Sequence, residues 1–297
     1  MTPELTIILV NFNDRTHLGE CLSSLEKGTS SLAREVILVD NYSQDGSQEL
    51  VRNSFPWIKL IRNEENLGYA KANNIGIRAS RGEFILFLNT DSVIPPDALP
   101  RLLAEIKADP GTGAIGPALV HQNGGYQVSF GLKRDFWSEI LQKFFLNPYF
   151  KLALKVSHRA REVGWLGGAC LLSKRSVLEE AGLFDENFFL YFEDIDLCLR
   201  IKEKGSKVIF YPLVKVVHLG GATTSGSPTR RLQTRLEYRR SQLYFYRKHA
   251  SRASVFLLKI YLRLNFALVS LFKTRRPEER ALLRSQRERI FGADNIV

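Results

Sequence analysis

Two hundred and ninety-seven residues with 44% apolar and 25% charged side chains make ordinary globular usage and exclude a largely disordered chain. Three widely spaced cysteines, Cys21, Cys170 and Cys198, exclude a disulfide framework or zinc ribbon and predict a reducing, cytoplasmic setting. The net charge of +11 is uneven: residues 1–220 carry 25 Lys+Arg against 26 Asp+Glu, and residues 221–297 carry 17 against 5, so a neutral body bears a basic tail suited to an acidic partner.

The first predicted element is Leu5–Val10, an apolar run six residues long with acids Glu4 and Asp14 nearby, which reads as a buried strand and not a signal peptide. It ends in the polar segment Asn11–Asp14, and Leu18–Leu25 follows with helical spacing. Glu35–Asp40 is a second strand, ending in Asn41-Tyr-Ser-Gln-Asp-Gly-Ser47, where Asp45 or Ser47 can cap a helix over 48–53. Ile58–Arg62 is a short third strand, and Asn66–Ile77 is a loop entering a helix. Phe84–Leu88 is a fourth strand, running into Asn89-Thr90-Asp91. Continuous apolar strands separated by helices predict an α/β fold with a mostly parallel sheet covered on both faces. Ligands of such sheets bind outside the carboxyl ends of the strands, where Asn11–Asp14, Asp40–Ser47 and Asn89–Asp91 all fall.

No GxGxxG turn follows the first strand and no GxxxxGK[ST] occurs, so dinucleotide-dehydrogenase and P-loop readings lose their main support. Asp40 is placed to bond ribose hydroxyls or a base edge. Asp91 is placed to hold a divalent cation, Mg²⁺ or Mn²⁺, against phosphate oxygens.

Four segments in order, Val39–Ser47, Asn66–Asn74, Leu88–Asp91 and Phe192–Leu197, resemble the GT-A glycosyltransferases of family 2, especially the rhamnosyltransferase-like branch, over roughly residues 4–225. The resemblance implies an inverting transferase using a nucleotide-diphosphate sugar, with dTDP-rhamnose suggested by the branch and UDP- or GDP-sugars as alternatives. It carries nucleotide binding to Val10, Asn11, Asp40, Asn41, Ser43, Gly68, Lys71, Asn89 and Thr90, and metal binding to Asp91 with His218 completing the shell. The metal motif, often Asp-x-Asp, here reads Asn-Thr-Asp, so Asn89 offers only a neutral oxygen. The same resemblance makes Asp194 the base that deprotonates the acceptor, with Glu193 the second candidate, and places Trp165, Gly167 and Gly168 along the sugar pocket. Each residue also has a plainer reading. Asp194 and Asp196 suit a helix dipole, Trp165 suits a core, and His218 could be an ordinary strand-end histidine.

The tail, 226–297, is expected to be a basic amphipathic helical extension beside a transferase domain over 1–225. Arg230, Arg231, Arg235, Arg239 and Arg240 recur with Leu232, Leu236, Leu243 and Phe245, and the apolar run Val255–Phe272 is interrupted by Lys259, Arg263 and Asn265. Two cations near its middle disfavour spanning and favour lying on an anionic membrane surface. Phe136–Leu154, aromatic and Lys-edged, is a second such patch. The expected acceptor is then a glycan or polyprenyl-diphosphate-linked glycan at the inner face of the plasma membrane, with a homodimer contact as the competing use of the apolar faces. The rival from another class is a nucleic-acid-binding protein, but no nucleic-acid module accompanies the tail, and long aliphatics among its aromatics are unlike a base-stacking groove.

Overall fold

A computed structural model describes residues 2–29, 32–131, 159–220 and 228–272. The strands are β1 (Leu5–Asn11), β2 (Arg34–Asp40), β3 (Lys59–Arg62), β4 (Phe84–Asn89), β5 (Ser92–Val93), β6 (Thr112–Val120), β7 (Phe130–Gly131), β8 (Arg161–Glu162), β9 (Trp165–Leu166), β10 (Cys170–Lys174) and β11 (Lys207–His218). The helices are α1 (Arg15–Gly28), α2 (Ser47–Ser54), α3 (Tyr69–Ala79), α4 (Ala98–Ala108), α5 (Arg175–Glu180), α6 (Glu193–Glu203), α7 (Pro228–His249) and α8 (Arg252–Phe272). The main sheet runs β3-β2-β1-β4-β10-β6-β11-β5, with β8 beside β11, while β7 and β9 form a small second sheet.

Strands β1–β4 pair in parallel, as do β6 and β11. Strand β10 is inserted antiparallel between β4 and β6. The expected mostly parallel sheet is therefore present, with one reversed strand at its centre.

The unbroken apolar runs are explained by burial on both faces. Leu5, Ile7 and Leu9 of β1 join Leu18, Leu22, Leu99 and Leu102 of α1 and α4, while Ile8 faces Ala70 and Ile77 of α3. Strand β4 divides the same way, with Leu86 and Leu88 on the first face and Ile85 and Phe87 on the other. Alternation with period two thus survives inside runs that are almost wholly apolar.

The basic tail does not stand apart from this core. Leu243, Phe245 and Tyr246 of α7, and Leu258 and Leu262 of α8, lie in the same apolar cluster as Phe210 of β11 and Leu197 of α6. At the C-terminal end of α7, Lys248 and His249 meet Asp196 of α6 at 2.8 and 2.6 Å, and Lys248 also reaches Asp185 at 2.7 Å. The patch 136–154 and the tail beyond 272 lie outside the described residues.

Candidate active site

A cavity of about 510 Å³ opens at the carboxyl ends of β1 and β4 and is closed on the far side by the start of α6 and by Tyr238 of α7. Its wall brings together Val10, Asn41, Gly68, Asn89, Thr90, Asp91, Trp165, Gly167, Gly168, Glu193, Asp194 and His218 from the predicted set. Asp14, Tyr69 and Gln127 join them.

The remaining predicted residues stand elsewhere. Asp40 is 0% exposed and lies behind the wall, not in it. Its carboxylate accepts from Asn11 Nδ2 at 2.9 Å, Ser43 N at 3.0 Å and Gln48 Nε2 at 2.7 Å. Asn11 and Ser43 bond each other as well, at 2.9 Å, so the trio forms a polar floor beneath the site. Lys71 is exposed on α3, outside the wall. Gly46, and neither Asp45 nor Ser47, holds the N-cap position of α2, which starts at Ser47; Asp45 accepts from Ser47 N at 3.1 Å and Arg15 N at 2.7 Å.

Asn41 organises the loop entering α3. Its amide donates to Asn66 Oδ1 at 2.7 Å and Gly68 O at 3.2 Å, while its oxygen accepts from Asn63 Nδ2 and Leu67 N, both at 3.0 Å. Gly68 has φ +83°, and a Cβ there would stand 2.6 Å from Phe189 O, so only glycine fits. Tyr69 N donates to that same Phe189 oxygen at 2.7 Å, which locks the loop against the segment leading into α6.

Asp91 and His218 face each other across the cavity floor, Oδ1 to Nε2 at 3.2 Å. Their backbones are held by the β5–β11 pairing, in which His218 opposes Ser92, and by Leu219 N donating to Asp91 O at 2.9 Å. Asn89, at the departing position of the motif, turns its Nδ2 toward His218 Nε2 at 3.4 Å while its Oδ1 accepts from Tyr69 Oη at 3.1 Å. Thr90 donates to Asp14 Oδ2 at 2.7 Å. Burial raises the Asp14 carboxyl despite bonds from His17 and Thr90 that pull it down.

Across the cavity, α6 begins with two carboxyls of opposite character. Asp194 is half-buried, its Oδ2 accepting from Gly168 N at 2.7 Å and its Oδ1 from Ile195 N at 2.8 Å. Glu193 is buried, and its Oε2 accepts no hydrogen bond. Burial, reinforced by repulsion from Asp194, pushes the Glu193 carboxyl well above its usual range. The turn delivering both is strained, since Tyr191 and Phe192 have φ of 70° and 69° in succession. Asp196, by contrast, is fully buried and engaged by Arg200, Lys248 and His249, which makes it a fastening for α7.

Trp165 is 6% exposed and its ring lies over Gly131, where a Cβ would approach to 2.5 Å. It is packed as a core residue whose edge reaches the cavity. Sequence reasoning missed Gln127 and Tyr238. Tyr69, although inside a quoted motif, was given no role there.

The sequence profile of Glycosyl transferase family 2 matches residues 6–180. The chain belongs to glycosyltransferase family 2. An N-acetylglucosaminyl-diphospho-decaprenol L-rhamnosyltransferase of Mycobacterium tuberculosis is 31% identical to this glycosyltransferase over 253 residues, covering 78% of this chain and 81% of the relative. The low-salt glycan biosynthesis hexosyltransferase Agl10 of Haloferax volcanii is 27% identical over 222 residues, 73% of this chain and 68% of that one. Among solved structures, GalNAc-T7 with UDP, GalNAc and Mn²⁺ aligns with TM-score 0.62 at 16% identity, over 99% of this chain and 56% of that chain. The mannosyltransferase PcManGT of Pyrobaculum calidifontis, in complex with GDP-Man and Mn²⁺, aligns with TM-score 0.58 at 20% identity, over 100% of this chain and 77% of that one. The fold of this glycosyltransferase is GT-A.

Proposed function

We propose that this glycosyltransferase is an inverting, metal-dependent enzyme that transfers a sugar, rhamnose from dTDP-rhamnose by the nearest reading, to a polyprenyl-diphosphate-linked glycan. The observation that carries the reading is the facing pair Asp91–His218, at 3.2 Å, in one cavity with the half-buried carboxylate of Asp194. The acceptor class is supported by the decaprenol-linked substrate named for the mycobacterial relative.

A carboxylate and an imidazole fit a divalent cation that also takes oxygens from a donor diphosphate, and the nitrogen favours Mn²⁺ over Mg²⁺. Among the described residues no group of three or more acidic, histidine or cysteine side chains offers a complete cage, so substrate oxygens would fill the rest of the shell. Bound there, the cation would neutralise charge on the departing nucleoside diphosphate. Asp194, held by two backbone N–H groups, takes the proton of the acceptor hydroxyl, whose oxygen bonds to the anomeric carbon as the bond from that carbon to the diphosphate oxygen breaks on the opposite face and the nucleoside diphosphate leaves. Burial and repulsion from Asp194 both disfavour the ionised form of Glu193, which leaves the base role to its neighbour.

The enzyme works at an anionic membrane surface in this reading. Phe256, Ile260 and Leu264 of α8 are exposed on one face, edged by Arg252 and Arg263, while Leu258 and Leu262 pack inward. No described helix is long and apolar enough to cross a bilayer. An apolar stripe with a cationic edge suits lying in the headgroup layer of anionic lipid.

A thermal-shift panel of dTDP, UDP, GDP, ADP and CDP, each with and without Mn²⁺, tests the donor half. One diphosphate at 100 times its dissociation constant should add about 2.7 kcal/mol, only with metal. No shift with any of them removes the reading. Co-sedimentation with phosphatidylglycerol vesicles tests the surface: Phe256→Ser with Leu264→Ser should lose binding. Binding unchanged by that pair, or absent in the parent protein while sedimentation shows a dimer, overturns the membrane assignment.

A further inference from the structure

The segment after β6 folds back on itself. His121 N donates to Gly125 O at 2.7 Å, Tyr126 bridges Val120, and Gln127 N donates to Leu119 O at 2.9 Å. This return brings the Gln127 side chain beside the end of β11, where it makes two bonds to one residue: Nε2 to His218 O at 2.6 Å, and Oε1 to His218 Nδ1 at 2.8 Å. The second amide hydrogen points to His121 Nδ1 at 3.0 Å.

The Gln127 side of the pattern has one consistent assignment. A peptide carbonyl can only accept, so the amide nitrogen of Gln127 must face His218 O. The amide oxygen then faces His218 Nδ1, and that nitrogen must carry the proton. Nε2 is the ring nitrogen left to meet Asp91 Oδ1, 3.2 Å away. The His218 backbone thereby sets the Gln127 amide, and the amide in turn sets the ring.

We infer that Gln127 is a positioning residue of this glycosyltransferase, which commits Nδ1 of His218 as a donor and presents Nε2 toward Asp91 as the nitrogen that takes a divalent cation. The inference rests on the metal reading given above and adds the residue that makes His218 competent for it. Partners that orient a ligating histidine through its other nitrogen are worth about 10–100-fold in metal affinity when removed.

The experiment uses the full chain with ¹⁵N-labelled histidine. Ring ¹⁵N spectra identify the protonated nitrogen of His218, and Mn²⁺ titration by electron paramagnetic resonance, with dTDP or UDP present, gives the affinity. The parent protein should show Nδ1–H. Gln127→Met should populate Nε2–H and weaken Mn²⁺ by about 10–100-fold, with the melting temperature little changed. Gln127→Glu, which loses the N–H to His218 O but retains an acceptor for Nδ1, should keep Nδ1 protonated, and it carries the test should Gln127→Met fail to fold. A parent-like tautomer and affinity in Gln127→Met, or loss of Nδ1–H in Gln127→Glu, overturns the inference. Absence of Mn²⁺ binding in the parent overturns the metal reading, whereas the tautomer change with Gln127→Met still establishes the positioning role.

Discussion

The ends of β2 and β4 make an instructive pair. Each is an apolar parallel strand terminating in or just before an aspartate, and in sequence Asp40 and Asp91 look equally suited to a ligand. In the fold, Asp40 is saturated by a side-chain amide from β1, a backbone N–H and a glutamine from α2. Asp91 instead points one oxygen at a histidine delivered from the far edge of the sheet. A strand-end carboxylate is committed to structure where its own loop and the helix after it supply donors to it. The β2 loop, with Ser43 and Gln48 within eight residues, supplies them.

That contrast, and the parallel one between Glu193 and Asp194, can be broken by substitution. The largest effect is expected at Asp194→Asn, which should lower turnover by about 10²–10⁴-fold while leaving donor affinity near the parent value. Steady-state kinetics together with nucleotide titration checks this, and near-normal turnover would transfer the base role to Glu193. Asp91→Asn should come next, weakening Mn²⁺-dependent nucleotide binding by about 100-fold at unchanged thermal stability, measured by calorimetric titration. Asp40→Asn should do the reverse. It leaves a buried donor facing donors and should cost about 2–3 kcal/mol in urea unfolding, with metal-dependent binding retained. If Asp40→Asn instead abolished nucleotide binding at full stability, the two strand ends would be equivalent after all.

The smallest effect is at the fastening of α7. Burial opposes ionisation of Asp185, but bonds from Lys248, Asn187 and Tyr244 outweigh it and hold its carboxyl at about 2, below the ordinary value of 3.8. A carboxyl depressed by folding contributes stability that is complete above its unfolded value and is lost as pH falls through the folded one. Stability should therefore decline between pH 4 and pH 2, and Lys248→Met should flatten that part of the curve. An identical acid slope in both proteins would remove Lys248 from the account.

The sheet was legible because strand runs such as Phe84–Leu88 and turn clusters such as Asn41–Ser47 carry their signals locally. The reversal of β10 was not, since a short run such as Cys-Leu-Leu-Ser-Lys reads alike in either direction. On the site, the acids at strand and helix ends announced themselves by position. Asp40 misled because the pattern reports where a carboxylate lies and not how many donors surround it. Gln127 left no trace, being one polar residue in a turn whose importance comes from a contact 91 residues away. Tyr238 was hidden differently: the arginines of α7 dominate its composition and suggest an appendage, yet its aromatic residues pack against Tyr191 and Phe192 at the cavity edge.

The buckle of Asp196 with Lys248 and His249 also sets what can be exchanged between relatives. The helix that begins at Glu193 and the helix that supplies Tyr238 are fixed to each other by buried charge, so they form one heritable unit despite the 33 residues between Asp194 and Pro228. A chimera that joins one transferase's body to another's tail at residue 225 would cut through that unit and leave buried Asp196 with Arg200 alone. Recombination that respects it must move the acidic helix and the basic helix together, carrying that side of the cavity as a cassette.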